Sequence, residues 1–232
     1  MEKKFYEEYK WTEWKFWQNF WDYYKIHMLV IVIIAFMAFI GIKSCMNRVE
    51  NDLSIIYMGE KVMLSPAKLE IYLDGQVEDM DGDGQILVNI ENNPVDMDEN
   101  ADTVTVMLTR VDAEILGGDP FILMTDGDFV ERFVKMSGLQ SIEEIVKDLN
   151  IPEEYLKRDP VSGEATAVNI TELPIGRIAG IHSGEEMYLS MKIMPYSKEK
   201  NEDYVKRHNQ AMAVIRYMLA YDGSPVPGIV VD

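Results

Sequence analysis

The sequence predicts an α/β domain carried behind a single N-terminal transmembrane helix. Residues Ile26 to Ile42 contain no charged side chain. From Asp52 onwards, apolar runs of strand length alternate with segments of helical periodicity, which is typical of a layered α/β fold. The sequence therefore divides into an aromatic segment at residues 1–25, a transmembrane helix at 26–43 and one α/β domain at 50–232.

The charge differs sharply between these parts. The whole chain carries a formal net charge of −18, yet residues 1–45 hold six lysines and five acidic residues. All of the acidic excess therefore lies beyond residue 45, where 16 basic and 35 acidic residues give a net charge of −19. Such a surface repels nucleic acid, so no nucleic-acid partner is expected. The single cysteine, Cys45, excludes an intramolecular disulfide.

The apolar stretch predicts a membrane anchor with a defined orientation. Seventeen helical residues span about 26 Å, close to the thickness of a bilayer's hydrocarbon core. Aromatic residues crowd the N-terminal side, as at a membrane–water boundary. Five lysines precede the span and two basic residues follow it closely, which places the N-terminus in the cytoplasm and the domain outside. The predicted anchor residues are Trp17, Trp21, Tyr24, Lys25, Ile42 and Lys43.

Two alternatives remain open around the anchor. Residues 5–24 either lie along the membrane surface as an interfacial helix or prolong the spanning helix inward. In both cases they offer a contact surface for another membrane protein. The run Ile42-Lys-Ser-Cys45 also resembles a lipidation signal for Cys45, although Lys43 is a poor fit to it.

The elements of the domain follow from periodicity and from helix-end signals. Val104, Leu108, Val111 and Ile115 share one helical face, which favours a helix over 102–116. Asp126 or Asp128 is expected to cap the helix after the third strand, rather than to bind a metal ion. Ser141 and Glu144 have the spacing of a capping box. The predicted strands cover 53–58, 86–90, 121–124, 165–170 and 187–193, and the predicted helices cover 66–73, 102–116, 129–138, 141–149 and 205–219.

An acidic loop at residues 79–85, DMDGDGQ, predicts a calcium site. Aspartates at every second position before a glycine turn can converge on one hard cation. No lysine or arginine occurs from Leu69 to Thr109, whereas eleven acidic residues do, and a divalent ion would relieve their repulsion. An EF-hand's closing glutamate is absent, because Ile90 holds its position. The predicted ligands are Asp79, Asp81, Asp83, Gln85 and Glu91, and the alternative is a metal-free Asp/Gly turn.

Motifs of known enzyme classes are absent from the sequence. It has no G-x-x-x-x-G-K-[ST], no G-x-S-x-G and no H-E-x-x-H. His208 lies on an apolar helical face and is expected to be a packed core residue. We therefore expect a non-enzymatic protein. A surface hydrolase using a carboxylate pair is the alternative that sequence motifs do not test.

The order of these elements resembles the first lobe of the extracellular solute-binding proteins that serve ABC importers of Gram-positive bacteria. The resemblance rests on the order strand, helix, D-x-D-G-D-G loop, strand, a helix that ends at Gly117-Gly-Asp119, and strand Phe121–Met124. Tyr188–Ile193, followed by the helix at 203–221, is similar to the returning segment of that lobe. The lead-in Phe20–Lys25 resembles that of small membrane-anchored proteins of Clostridia-like bacteria.

This resemblance implies one lobe of a type 2 periplasmic-binding-protein fold. The domain is long enough for one such lobe and lacks tryptophan, a common stacking platform for sugars. We therefore expect a membrane-anchored module for binding or assembly outside the cell, with calcium as a candidate structural ion. A solute receptor for an ABC-type importer is the alternative function.

Overall fold

A computed structural model describes residues 14–46, 51–60, 65–95, 100–117, 121–181 and 186–229. The chain divides into two compact units, Met1–Val49 and Glu50–Asp232. The helices are α1 (Trp14–Met46), α2 (Pro66–Leu73), α3 (Ala101–Gly117), α4 (Gly127–Lys135), α5 (Glu143–Asp148), α6 (Pro174–Ala179) and α7 (Glu202–Leu219). The strands are β1 (Leu53–Gly59), β2 (Val88–Pro94), β3 (Ile122–Asp126), β4 (Leu156–Arg158), β5 (Ala165–Asn169) and β6 (Met187–Met191).

The first unit contains one continuous helix, α1. It starts at Trp14 and runs for 33 residues without a break, so the aromatic residues from 14 to 24 prolong the apolar helix. The window Tyr23–Ile40 is long and apolar enough to cross a membrane, and none of its residues is buried. Residues 1–13, the remainder of the predicted aromatic segment, lie outside the described residues.

The second unit is built on a six-stranded mixed sheet with the order β2-β1-β3-β6-β5-β4. Strand β1 pairs in parallel with both β2 and β3. Strand β6 runs antiparallel to β3 and to β5, and β4 runs antiparallel to β5. The predicted mixed α/β class is therefore confirmed.

Helices cover both faces of this sheet. On one face, α2, α5, α6 and α7 pack against the strands, with Leu69, Ile145 and Ile215 among the buried side chains. On the other face, α3 and α4 bury Val111 and Phe133. Strands β1 and β3 alternate between the two cores, because successive side chains of a strand point to opposite faces. This produces three layers: helices, sheet and helices.

Most element predictions are confirmed, and the differences have local causes. The predicted helix at 102–116 is α3, and Asp126 caps α4 by accepting a hydrogen bond from the backbone N–H of Phe129 at 3.1 Å. The capping box at Ser141 is wrong. Helix α5 starts at Glu143, with Ile142 as an N-cap that forms no side-chain bond.

The first residue of α5, Glu143, is held by partners that are distant in sequence. The Glu143 carboxylate accepts hydrogen bonds from the backbone N–H of Ala165 at 2.7 Å and from Arg158 at 2.8 Å. The Ala165 N–H, and then Arg158, lower the pKa of Glu143 to about 2. The start of α5 is therefore held by charge-assisted hydrogen bonds to β4 and β5.

Candidate metal centre

The acidic loop connects α2 to β2 and turns sharply at two glycines. Gly82 and Gly84 have φ of 75° and 83°, in the left-handed region that favours glycine. The chain reverses at these glycines, and carboxylate oxygens of Asp79 and Asp81 lie within 4.8 Å of each other beside the turn. The two glycines therefore allow the turn on which the aspartates lie.

Asp52, which the sequence did not indicate as a ligand, holds this loop against the sheet. It lies directly before β1 and is only 4% exposed. Its carboxylate oxygens accept hydrogen bonds from the backbone N–H groups of Met80 at 2.6 Å and Leu87 at 2.8 Å. A buried carboxylate that accepts two backbone bonds is well compensated for its loss of water. Asp52 therefore anchors both ends of the acidic loop.

Three carboxylates meet at this place. One carboxylate oxygen each from Asp52, Asp79 and Asp81 lies within 4.8 Å of the other two. Calcium binds oxygen at about 2.3–2.6 Å, so oxygens that share one ion lie no more than about 5 Å apart. The spacing of these three oxygens therefore meets a necessary condition for shared coordination of a calcium ion.

The loop is also held together by its own hydrogen bonds. Asp79 accepts the backbone N–H of Gly82 at 2.6 Å and of Gly84 at 2.8 Å. Asp81 accepts the backbone N–H of Asp83 at 3.0 Å, and Asp83 accepts that of Gln85 at 2.7 Å. Each carboxylate oxygen keeps a further lone pair for an ion. The loop is thus ordered by its own contacts and retains acceptor capacity.

The pKa values of Asp79 and Asp81, the two loop residues of the cluster, are shifted in opposite directions. Backbone N–H bonds, first that of Gly84, lower the pKa of Asp79. The pKa of Asp81 is raised: the bond from the Asp83 N–H lowers it, but desolvation and the carboxylates of Asp83 and Asp52 raise it by more. A cation next to Asp81 would oppose this repulsion. Asp81 is therefore the loop aspartate whose negative charge is opposed by its carboxylate neighbours.

The remaining predicted ligands lie outside the three-carboxylate cluster. Asp83 and Gln85 are exposed on the same loop. Glu91 lies on β2, where its carboxylate is 3.7 Å from the guanidinium of Arg110 on α3. The structure thus brings Asp79 and Asp81 together with Asp52, and does not bring the other three residues into that group.

Gln210 on α7 also forms hydrogen bonds to this loop and to Asp52. The side-chain oxygen of Gln210 accepts the backbone N–H of Glu78 at 2.9 Å, and its amide nitrogen donates to the carbonyl of Asp52 at 3.1 Å. Gln210 is buried. The cluster therefore sits at a junction of three segments: the residue before β1, the α2–β2 loop and α7.

Helix α7 also carries His208, which the sequence predicted to be a core residue. Its ring is buried and meets Phe121 edge-on, with the ring centroids 5.8 Å apart. Desolvation lowers its pKa, although a hydrogen bond with the Asn209 side chain opposes this shift. The prediction of a packed histidine is confirmed.

The predicted anchor residues lie on α1. Trp17 and Trp21 are 52% and 59% exposed, Lys25 is exposed and Tyr24 is half-buried. Ile42 and Lys43 belong to the described helix, but their side chains are outside the described residues. Between Ile26 and Ile40, the exposed side chains of α1 that the structure describes are almost all apolar.

No protein-family model and no curated protein matches the chain.

Proposed function

We propose that the chain is a single-pass membrane protein whose α/β unit acts outside the cell as a non-enzymatic module for binding or assembly. The observation that carries this proposal is the exposure of α1. The window Tyr23–Ile40 is predominantly apolar, with Lys25 as its one charged residue, and none of its residues is buried. In water, a helix surface of this size would be strongly unfavourable, whereas a bilayer accommodates it.

The unequal number of lysines on the two sides of the span supports the proposed orientation of the chain in the membrane. Five lysines precede the span, and only Lys43 and Arg48 follow it closely. Basic residues are retained on the cytoplasmic side during insertion. The N-terminus then lies in the cytoplasm, and the acidic unit from residue 50 lies outside, where calcium is abundant.

Membrane fractionation and protease treatment of cells that express the full chain test this placement. We expect it to stay in the membrane pellet after washing at alkaline pH, and we expect protease added to intact spheroplasts to remove residues beyond 50. A chain lacking residues 1–46 provides the control and should be soluble. Release of the full chain by the wash would contradict the anchor, and protection from the protease would contradict the orientation.

We further propose that calcium stabilises the junction at Asp52, Asp79 and Asp81. The spacing of the three carboxylate oxygens supports this step, together with the raised pKa of Asp81. With three protein carboxylates and otherwise exposed surroundings, the affinity is expected in the weak range of extracellular modules, about 10⁻⁴–10⁻³ M. The ion would hold the loop between β1 and α7, and would act as a structural element.

Thermal unfolding of the full chain in detergent tests the calcium proposal. Calcium at ten times its dissociation constant contributes about 1.4 kcal/mol, so we expect the midpoint to rise by about 3–6 °C relative to EDTA. Asp81→Asn should abolish the rise. Asp83→Asn is a matched control that makes the same change of charge two residues further along the loop and keeps the acceptor for the Gln85 N–H, so it should preserve the rise.

These two variants also test whether Asp83 is a calcium ligand, as the sequence predicts, or whether the ligands are the three carboxylates that the structure brings together. If Asp83→Asn abolishes the calcium effect as well, Asp83 belongs to the site as the sequence pattern predicts. If wild-type chain shows no calcium-dependent rise, the ion is not bound and the loop is a metal-free turn.

A solute receptor is the second candidate, and the arrangement of the sheet favours it. The chain places β2 on one side of β1 and then crosses over to place β3 on the other side, and β6 runs antiparallel beside β3. In open α/β sheets, ligands bind where such a reversal occurs, at the carboxyl ends of the strands. Here that place is marked by Gly59 and Asp126. A solute bound there in a cocrystal would favour the receptor over the assembly module, and would support the proposed solute-binding lobe.

A further inference from the structure

We propose that a pocket beside the carboxylate cluster binds an anionic oxygen group, a phosphate or a carboxylate, of a small ligand. The pocket has a volume of about 390 Å³ and lies between the acidic loop, the short 3₁₀ helix Tyr196–Lys198 and the first turns of α7. This inference deepens the proposed binding function, and its last step rests on the calcium proposal.

Three segments of the second unit build the walls of this pocket. Met80 and Asp81 of the acidic loop form one wall, and Lys198 forms the second. The third wall is the start of α7, which contributes two basic side chains, Lys206 and Arg207. A volume of this size is within the range of small-molecule sites in proteins, about 300–1,000 Å³. The pocket can therefore hold a small ligand among charged side chains.

Lys198 and Lys206 have no carboxylate partner in the part of the unit that the structure describes. Basic residues elsewhere in the unit form ion pairs with acidic side chains: Arg110, Arg132, Lys135, Lys147, Lys157, Arg158 and Arg216. Lys68 and Arg177 also form no ion pair among the described residues, but they do not line this pocket. Lys198 and Lys206 thus place two uncompensated ammonium groups around one pocket of an acidic unit.

Two contacts hold basic side chains in place at the pocket. A guanidinium nitrogen of Arg207 donates a hydrogen bond to the backbone carbonyl of Asn51 at 2.6 Å. The ammonium nitrogen of Lys198 lies 5.6 Å from the centroid of the Tyr204 ring, in a cation–π contact with a side chain that is itself buried. Side chains that are already held in place lose less conformational entropy when a ligand binds. These contacts therefore favour binding at the pocket.

The charges of the lining residues select an anion as the ligand. Three basic side chains outnumber the two carboxylates of the pocket, those of Asp81 and Asp203. Ammonium and guanidinium groups form short, charge-assisted hydrogen bonds to phosphate and carboxylate oxygens. A neutral ligand gains none of this energy, and a cationic ligand is repelled. The pocket is therefore a positive site on a unit that is otherwise acidic.

Asp81 joins this pocket to the proposed calcium site. It lines the pocket and also belongs to the cluster with Asp52 and Asp79. Calcium takes roughly six to eight oxygen ligands, so three carboxylates leave coordination positions for oxygens of water or of a ligand. A bound ion would also offset the negative charge of Asp81, which otherwise opposes an anion. Calcium and the anion should therefore each strengthen the binding of the other.

Calorimetric titration of the full chain in an uncharged detergent tests the pocket. The probes are glycerol 3-phosphate and glycerate, with glycerol as the neutral control. We expect at least one of the two anions to bind, and the tighter one identifies the ligand group as phosphate or carboxylate. Lys198→Gln/Lys206→Gln should weaken its binding about tenfold. Lys68→Gln/Arg177→Gln makes the same change of charge away from the pocket and should leave the affinity unchanged.

Three results would overturn the pocket: neither anion binds, glycerol binds as tightly as the anions, or both double variants weaken binding equally. The last would show that only the overall charge of the chain matters. Exchange of EDTA for calcium tests the coupling and should raise the affinity for the anion about tenfold in the wild-type chain, and not in Asp81→Asn. An affinity that calcium leaves unchanged overturns the shared coordination.

The pocket and the calcium site can fail separately. A calcium-dependent rise of the unfolding midpoint without binding of either anion disproves the pocket alone. Binding of an anion in EDTA, in a chain that shows no calcium-dependent rise, disproves the calcium site alone and leaves the pocket supported by its lysine dependence.

Discussion

Replacing Asp52 by alanine is expected to lower the free energy of unfolding by about 3–5 kcal/mol, because two charge-assisted hydrogen bonds to backbone N–H groups are lost at once. The N–H groups of Met80 and Leu87 then lack their acceptor in a partly buried site. The measurement is urea unfolding of the full chain in detergent with EDTA, so that loss of a bound ion does not contribute.

Two further variants test whether the loss of stability comes from these hydrogen bonds. Asp52→Asn keeps one acceptor oxygen and turns the other into a donor, so about half of the loss is expected. Glu70→Ala, at an exposed position of α2, is the control and should change the stability by less than about 0.5 kcal/mol. A loss below about 1 kcal/mol for Asp52→Ala would show that water replaces the carboxylate and that Asp52 does not anchor the loop.

Replacing Gly176 by alanine is expected to cost about 3 kcal/mol or more, at the upper end of overpacking effects. A Cβ at this position of α6 would lie 2.3 Å from the carbonyl oxygen of Ile170 and 3.0 Å from that of Thr171. Both atoms belong to the backbone that leaves β5, and the Ile170 side chain is fully buried. Neither can yield without moving the end of the strand. Urea unfolding measures the loss.

Gly138→Ala is the matched control for Gly176. Its Cβ would meet the Phe133 carbonyl oxygen at 3.7 Å, an ordinary contact, and its φ is outside the left-handed region. Alanine there reduces the freedom of the unfolded chain, so a change between no effect and a gain of about 1 kcal/mol is expected. If both variants lose the same stability, the close approach of α6 to β5 is not the cause.

The long elements were predictable because their periodicity is visible over several turns. Helix α3 was expected from the helical face of Val104 and Ile115, and the structure has it at Ala101–Gly117. Helix α6 was missed, since six residues are too few to show a period and Pro174 with Gly176 indicates a turn. Strand β4 has three residues and was missed for the same reason.

The candidate metal centre was predictable only in part. The spacing of Asp79 and Asp81 is a local signal, and the structure places both in the cluster. Asp52 lies 27 residues earlier, and no local spacing relates it to the loop. It reaches the loop because β1 pairs with β2, with Leu53 opposite Val88. Glu91 belongs to the paired part of β2, where its carboxylate lies near Arg110 and not in the cluster.

The sequence by itself determined the apolar helix, the acidic charge of the second unit and the α/β alternation, because composition and short-range periodicity encode them directly. The tertiary structure alone decided the strand order, the partner of Glu143 and the inclusion of Asp52 in the carboxylate cluster. These depend on which distant segments lie side by side, and the chain's packing as a whole sets those contacts. The acidic loop is therefore a local motif whose third carboxylate is supplied by the fold.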